Sequence, residues 1–497
     1  MSKRILFFSN QGLSPLHLSI ELEVLASLRE NPENEIISMT CDATLPGCFF
    51  NPTKNVLACA LCESRTQNYR KLIGKIDKEP LTGNKSSDEK CPEIKSLNEL
   101  ENFTYKDINI GRGIASSLIS ITRDFDVHHA KHRKKLEALF NIAVVAFESL
   151  SKAITKHRPE VIYFFNGRFT ETHVLKELCI KKGIDFFTFE VATKGKYLVF
   201  ENALPHSMKL RKKLIHDMWT STEESKRLTT AREFYEKKRI GTFKARFNHT
   251  KKQERDNLPE DWDASKKNIV FFNSSEDEMK TIEDWKQDIF SSQNEAIQTI
   301  VTQYTEKTNI QFHLRVHPNL GQVENSQIKE IENFNYNNLK VIGPNEKTDS
   351  YALVSQADIV ICFGSTIGIE STYWGTPSIM FGRSFYEDLD ATYTPSSYDE
   401  LYELIDNKAL QPKPQENTLP YGYYVSSFGT PFKYVKYNGK TETFFNDVRI
   451  KKWHLNLIPY IVRYSKNIST WKSLTRTFTN KSLKPRHITK LLNQIPK

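Results

Sequence analysis

The sequence predicts an α/β protein of two Rossmann-like domains facing one another across a cleft. Three observations carry that prediction. Short apolar runs recur, each followed by a polar or Gly-containing loop and then by residues with helical apolar spacing, the pattern of βαβ units whose strands are buried on both faces. The series occurs twice, before residue 200 and again between 268 and 382. The intervening stretch 246–267 is charged and poor in aliphatic residues, as linkers are. A chain of 497 residues is comfortable for two cores.

The first series opens with RILFF (4–8), an Asn10-Gln11-Gly12 loop, a helical pattern over 16–30 and a second strand in NEIISMTCD (34–42). GxGxxG spacing is missing, so this βαβ start is not a dinucleotide fingerprint. Residues 41–100 read as a cysteine-containing insertion, lysine-rich and partly a solvated loop. Long helical patterns fill 110–157. PEVIYFF (159–165) is a strand ending in Asn166-Gly167-Arg168, followed by a helix over 171–183 and the strand IDFFTFE, which ends at Glu190. Residues 206–245, basic and helical in pattern, close this domain. The expected division is 1–260 for the first domain, 261–430 for the second and 431–497 for a basic helical segment that packs back on the first domain or touches membrane.

The second series starts at NIVFFNSSEDE (268–278) and continues through FHLRV (312–316), DIVICF (358–363) and PSIMFG (377–382). Open α/β sheets bind ligands outside the carboxyl ends of their strands. The loops there carry His317, Pro318, Asn319, Gly343, Gly364, Ser365, Thr366 and Glu370. A His at a strand end donates readily to a phosphoryl oxygen, and the following proline fixes the turn. Gly364 permits a tight turn, and Ser365 and Thr366 offer hydroxyls where a helix begins, a place that suits an N-cap and an anion alike. Glu370 lies four residues beyond Thr366, on the same helical face. Ser274 and Ser275 read as donor-phosphate contacts or as caps. Gly343-Pro344 reads as a turn, near a base or not.

The run LRVHPN…VIGP…SYALVSQADIVICFGSTIGIESTYWGTPSIMFG resembles the donor half of GT-B glycosyltransferases, and more narrowly bacterial capsule and surface-polysaccharide transferases, including relatives that use CMP-activated acidic sugars such as sialyl and Kdo transferases. The resemblance covers roughly 160–385. It implies that His317-Pro318 and Ser365-Thr366 hold the nucleotide phosphate and that Glu370 meets the ribose. It implies a Leloir-type transfer to a surface-polysaccharide or lipid-linked glycan. The acidic Asp/Glu-Asp/Glu-Gly motif that supplies the base in many CMP-sialic-acid transferases is absent, which counts against a sialyl donor; a CMP-linked acidic sugar such as Kdo is favoured, and UDP, GDP and other nucleotide sugars stay open.

Inverting transfer needs a base beside the acceptor hydroxyl. Glu190 is the first choice, as base or acceptor binder, and Glu171 the second. Arg168 suits a bidentate clamp on a carboxylate or phosphate. No DxD spacing suggests a catalytic metal, so a metal-independent reaction is expected. Cys41, Cys48, Cys59 and Cys62 are spaced Cys-x6-Cys-x10-Cys-x2-Cys, which suits a structural zinc site or four separate thiols. His128, His129 and His132 read as an anion site or as the flank of a helix.

The net charge of +10, from 70 Lys and Arg against 60 Asp and Glu, favours anionic partners without choosing among nucleotides, acidic glycans and lipid headgroups. No run approaches the ~18 apolar residues of a membrane span. ILFF is too short for a signal-peptide core. The expected location is cytoplasmic, with peripheral contact at the inner face of the cytoplasmic membrane. The rival readings are a GT-B-shaped nucleotide-sugar epimerase, a glycan-binding protein without turnover, and a nucleic-acid-binding protein, the last disfavoured because the basic residues are spread along the chain.

Overall fold

The computed structural model describes residues 3–81, 83, 88–127, 130–192, 195–243, 253–438 and 442–450. The chain divides into two units, each built around its own, largely parallel sheet, which makes both Rossmann-like.

In the first unit the strands are β1 (Arg4–Ser9), β2 (Glu35–Cys41), β3 (Asp77–Leu81), the small hairpin β4 (Thr104–Tyr105) and β5 (Ile108–Asn109), then β6 (Val161–Phe165), β7 (Asp185–Val191) and β8 (Lys196–Glu201). β1 pairs in parallel with both β2 and β6, and β6 with β7, placing the first apolar run at the centre. β8 returns antiparallel on β7. One face of the sheet packs on helix Arg133–His157 through Leu6, Phe8, Ile162 and Phe164 against Leu136, Phe140, Ala143 and Leu150. Residues Ala130–His157 have the length and hydropathy of a membrane span, but 61% of that apolar window is buried inside the unit. The expectation that no stretch reaches such hydropathy is therefore corrected: the segment is apolar because it lines a core.

Helix Pro15–Leu28 is apolar on two sides for a reason its own periodicity does not reveal. Ile20, Val24 and Leu25 pack on the sheet through Ile5, Phe7 and Val161. Leu18, Leu22 and Ala26 pack on a second layer made by Val435, Phe445 and Ile450. Each leucine buried in this way contributes about 2 kcal/mol. The second layer is the antiparallel sheet of β15 (Val435–Asn438), β16 (Glu442–Phe445) and β17 (Val448–Arg449), entered from β14 (Thr430–Pro431), which pairs with β8. Asn446 and Asp447, both with positive φ, make the two-residue turn between β16 and β17. The buried Glu23 carboxylate fixes this sheet by accepting the N–H groups of Lys433, Tyr434 and Val435 at 2.6, 2.9 and 3.0 Å. Where the sequence suggests a helical segment from 431, the described part is thus strand. Residues 451–497 of that segment lie outside the described residues, as do His128 and His129, while His132 is buried.

The insertion at 41–100 also differs from its expected character. It holds helix Val56–Arg70 and the strand β3, which joins the main sheet parallel to β2. β3 reads as polar loop because it is an edge strand of sequence DKEPL, and edges tolerate charge and proline.

The second unit comprises Thr122–Asp126 and His206–Phe428. Its sheet runs β9 (Lys267–Phe272), β10 (Ile310–Arg315), β11 (Leu339–Ile342), β12 (Ile359–Cys362) and β13 (Ser378–Met380), all parallel, in the order β11-β10-β9-β12-β13. The strand order reverses between β9 and β12, which makes that crevice the topological switch point. Residues 206–243 belong here and not with the first unit, as the sequence suggests. The reason is aromatic packing: Tyr235 of helix Glu224–Arg239 stacks on Tyr373 at 4.0 Å and its hydroxyl donates to Thr418 O at 2.6 Å. Gly422 of helix Leu419–Ser427 lets the two helices touch, since a Cβ there would lie 2.7 Å from the Tyr235 ring.

Candidate functional site

Four loops leave the carboxyl ends of the second sheet around its switch point. After β9 comes Asn273, buried, whose Oδ1 accepts the N–H of His317 at 2.8 Å. That bond ties the β9 loop to the β10 loop and fixes the amide orientation. The Nδ2 of Asn273 is then a buried donor with no hydrogen-bond partner. A buried amide left in that condition costs about 1–3 kcal/mol.

His317 is half-buried at the end of β10. Its Nδ1 accepts the N–H of Asn319 at 3.2 Å, so the Nε2 carries the ring proton in the neutral tautomer. Pro318 begins the short 3-10 turn Pro318–Gln322 that this bond caps. The Asn319 side chain turns away and donates to Glu278 at 2.9 Å.

After β12 the chain passes Gly364 at φ +115°, a conformation that side chains resist, and a Cβ there would lie 3.0 Å from Arg383 O. Ser365 Oγ accepts the N–H of Ile367 at 3.3 Å, leaving its own proton to be donated, and Ser365 O accepts from Tyr386 at 2.5 Å. Thr366 donates to Glu370 Oε1 at 2.7 Å. Helix Ile367–Tyr373 has only seven residues, so its dipole is slight and an anion here depends on side chains and loop N–H groups.

Glu370 is buried, and both oxygens are engaged. Oε2 accepts from Tyr351 at 2.5 Å, and Oε1 lies 3.2 Å from Lys238 Nζ. Burial and then the Glu370 charge push the Tyr351 phenol upward, which keeps it a donor. Lys238 also reaches Thr366 Oγ1 at 3.5 Å. The carboxylate thus anchors the Gly364–Thr366 loop to a lysine. Sequence reasoning misses Lys238 and Asn273. The lysine sits in a helix more than a hundred residues upstream with no local signal, whereas Asn273 stands in the quoted FFNSS run beside the serines chosen instead.

Those serines have protein partners. Ser274 exchanges bonds with the Gln293 side chain, at 2.8 Å to its backbone N–H and 2.7 Å to its hydroxyl. Ser275 bonds Asp277, which with Arg123 forms an ion pair. Gly343 closes an ordinary turn: its N–H donates to Glu346 at 2.5 Å and its carbonyl accepts from Arg315.

The first unit has a different set of residues at the ends of its strands. Glu171 is buried at the start of helix Thr170–Lys182 and accepts the Phe49 N–H at 3.0 Å. Burial raises its pKa to about 7 against the bonds from backbone and from the Asn10 side chain. Glu21, which the sequence does not single out, is likewise raised to about 7 by burial, against bonds from Ser9 and the Asn10 N–H. Asn10 therefore joins two buried carboxyls poised near neutrality. Glu190 accepts from Asn166 at 2.6 Å and from the Val191 N–H at 2.8 Å. Arg168 lies over the Phe169 ring, 4.7 Å from its centroid.

Cys41, Cys48, Cys59 and Cys62 line one pocket of about 40 Å³ together with Glu171, Asn10 and Asn51. That is room for about one water. All four thiols are pushed up by burial, Cys62 to about 12. Among the described residues no three His, Cys, Asp or Glu side chains are arranged to hold a metal ion, so the four cysteines converge without presenting a formed zinc site.

No family model matches the sequence, and no curated protein matches it. Among solved structures, the chain is similar to Thermosulfurimonas dismutans KpsC, a beta Kdo 2,4 transferase, at 11% identity and a TM-score of 0.35, covering 54% of this chain and 79% of that one. It is similar to a UDP-GlcNAc 2-epimerase from Neisseria meningitidis at 12% identity and a TM-score of 0.28, covering 86% and 97%. It is also similar to S. aureus MnaA at 11% identity and 0.27, covering 85% and 94%. At identities and scores this low, none of these activities transfers to the present chain.

Proposed function

We propose that the protein is a nucleotide-sugar glycosyltransferase whose second unit binds the donor nucleotide. The observation that carries this reading is the bond between Asn273 and His317 at the switch point of a parallel sheet, where the Ser365 loop also leaves the strands, with the Asn273 Nδ2 a buried donor without an acceptor. The Asn273 amide, the His317 Nε2–H and the Ser365 hydroxyl supply three donors to the donor phosphate, and Lys238 adds positive charge beside them. Glu370 holds Lys238 and Thr366 in place. Its ribose contact, implied by motif resemblance, then requires it to share an oxygen with these partners.

In the transfer, an acceptor hydroxyl oxygen forms a bond to the anomeric carbon while the bond from that carbon to the phosphate oxygen breaks. The electron pair stays on the phosphate, where the three donors stabilise it. The hydroxyl proton goes to a carboxylate base. Glu171, whose carboxyl burial raises to about 7, is a candidate for that base. Glu190, held by Asn166, binds the acceptor. The motif resemblance favours a CMP-linked acidic sugar such as Kdo as donor and a surface polysaccharide or lipid-linked glycan as acceptor.

A thermal-shift titration with CMP, UDP, GDP and ADP, with and without magnesium, tests the reading. One nucleotide raises the melting temperature regardless of magnesium, and free nucleotide is then released from its sugar conjugate only when a glycan acceptor is added. Release without acceptor points to a hydrolase or a hydrolysing epimerase, no release under either condition points to a non-hydrolysing epimerase or a binding protein, and no shift with any nucleotide removes the donor-site assignment.

A further inference from the structure

At the outer edge of the first unit's sheet a cavity of about 330 Å³ is lined by Ser38, Arg70, Lys71, Gly74, Lys75, Ile76 and Lys78. Ser38 lies on β2, and Lys78 is its paired residue on β3. Arg70 ends helix Val56–Arg70, and the 3-10 turn Lys71–Ile73 carries the chain around the cavity. Two residues of the lining carry buried polar atoms without partners. Arg70 is only 7% exposed and its Nη2 has no hydrogen-bond partner. Ser38 is 1% exposed and its Oγ has none either. The acid that Arg70 feels is the buried Glu21, whose carboxylate is held by Ser9 and the Asn10 N–H.

The remainder of the lining is basic. Lys71, Lys75 and Lys78 are exposed and make no ion pair among the described residues, and the sole acid within 70–78 is the exposed Asp77. The turn is built to stay in place. Arg29 donates to Ile73 O at 2.6 Å, and Gly74 takes φ +97°, with a Cβ there meeting the Arg29 guanidinium at 2.7 Å. A buried arginine with one unpartnered Nη2 and a buried unpartnered hydroxyl, beside a cavity ringed by lysines, suit a compact, multiply charged oxyanion.

We infer that this cavity is a binding site for a phosphate or diphosphate group, with Arg70 Nη2 and Ser38 Oγ as its inner donors and Lys71, Lys75 and Lys78 as its rim. The site belongs to the first unit alone and stands whether or not the second unit binds a nucleotide. A soluble phosphate ester and a lipid-linked diphosphate offer the same chemistry.

The test is calorimetric titration of the full chain with inorganic pyrophosphate, on a His317→Ala background so that the nucleotide loops do not contribute. Pyrophosphate binds, and Lys75→Glu with Lys78→Glu weakens it at least about tenfold, with binding in the parent falling as salt is raised. Both substitutions are on exposed residues, so the fold is retained; Ser38→Ala and Arg70→Gln then probe the inner donors. A parallel arm uses phosphatidylcholine vesicles doped with polyprenyl diphosphate. Tighter binding to these vesicles than to pyrophosphate, lost in the same double variant, identifies a lipid source, and equal binding a soluble one. No pyrophosphate binding in the parent, or equal binding in the double variant, overturns the site.

Discussion

The strand ends of the two sheets carry opposite kinds of chemistry. Around the second sheet's switch point the loops present donors: the unpaired amide of Asn273, the ring N–H of His317, the hydroxyl of Ser365 and the ammonium of Lys238. Around the first sheet's strand ends stand Glu21 and Glu171, two carboxyls that burial holds near neutrality, and four thiols pushed up by the same cause. One set of groups suits an anion, and the other holds carboxyls that titrate near neutrality. The proposed transfer calls on both kinds of group, and the difference teaches that similar strand-loop-helix units differ in what their loops bury.

That contrast is sharpest at Glu370, a buried carboxylate anchoring the Gly364–Thr366 loop. Glu370→Ala leaves Lys238 and the Tyr351 hydroxyl without their acceptor and is expected to cost about 3 kcal/mol in urea unfolding, toward the low end for a broken buried pair because Lys238 is partly solvated. A loss below about 1 kcal/mol would show that the lysine finds another partner. On the other side, the Cys62 thiol, at about 12, is expected to react with iodoacetamide about a hundredfold more slowly than a free thiol in native protein at pH 8, and at the ordinary rate once unfolded. Native reaction at the free-thiol rate contradicts the burial.

The two carboxyls near 7 make a pH prediction with a definite sign. Each binds its proton more tightly folded than unfolded, so between about 4.5 and 7 the native state holds more protons and stability falls as pH rises. Glu171→Gln removes its share, so the variant gains about 2–3 kcal/mol relative to the parent between pH 5 and pH 8. A pH-independent difference would place Glu171 in water. The smallest effect falls on the donor side. Gly364→Ala forces a side chain into φ +115°, costing about 1–2 kcal/mol and loosening nucleotide binding while leaving the carboxyl titrations alone.

The second sheet was legible in the sequence because its strands are continuous apolar runs and its loops begin at once with His317, Gly364 and Ser365. What stayed hidden depends on distance or context. Lys238 meets Glu370 across more than a hundred residues, and its helix joins the second unit through Tyr235 stacking on Tyr373, a contact without sequence periodicity. β3 is an edge strand with loop composition. Glu21 lies in a helix so apolar that a carboxylate there reads as an outward face, whereas it points to Ser9 and Asn10. Glu190 was legible because it ends a strand, whereas the burial that raises Glu171 to about 7 leaves no mark in the sequence.

The most direct measurement is isothermal titration of the preferred nucleotide into the parent protein, Asn273→Ala and His317→Ala, with circular dichroism to confirm folding. The account predicts binding to the parent and at least a tenfold weaker dissociation constant, about 1.4 kcal/mol, in each variant. Unchanged affinity in both folded variants would contradict a phosphate site at the switch point of the second sheet.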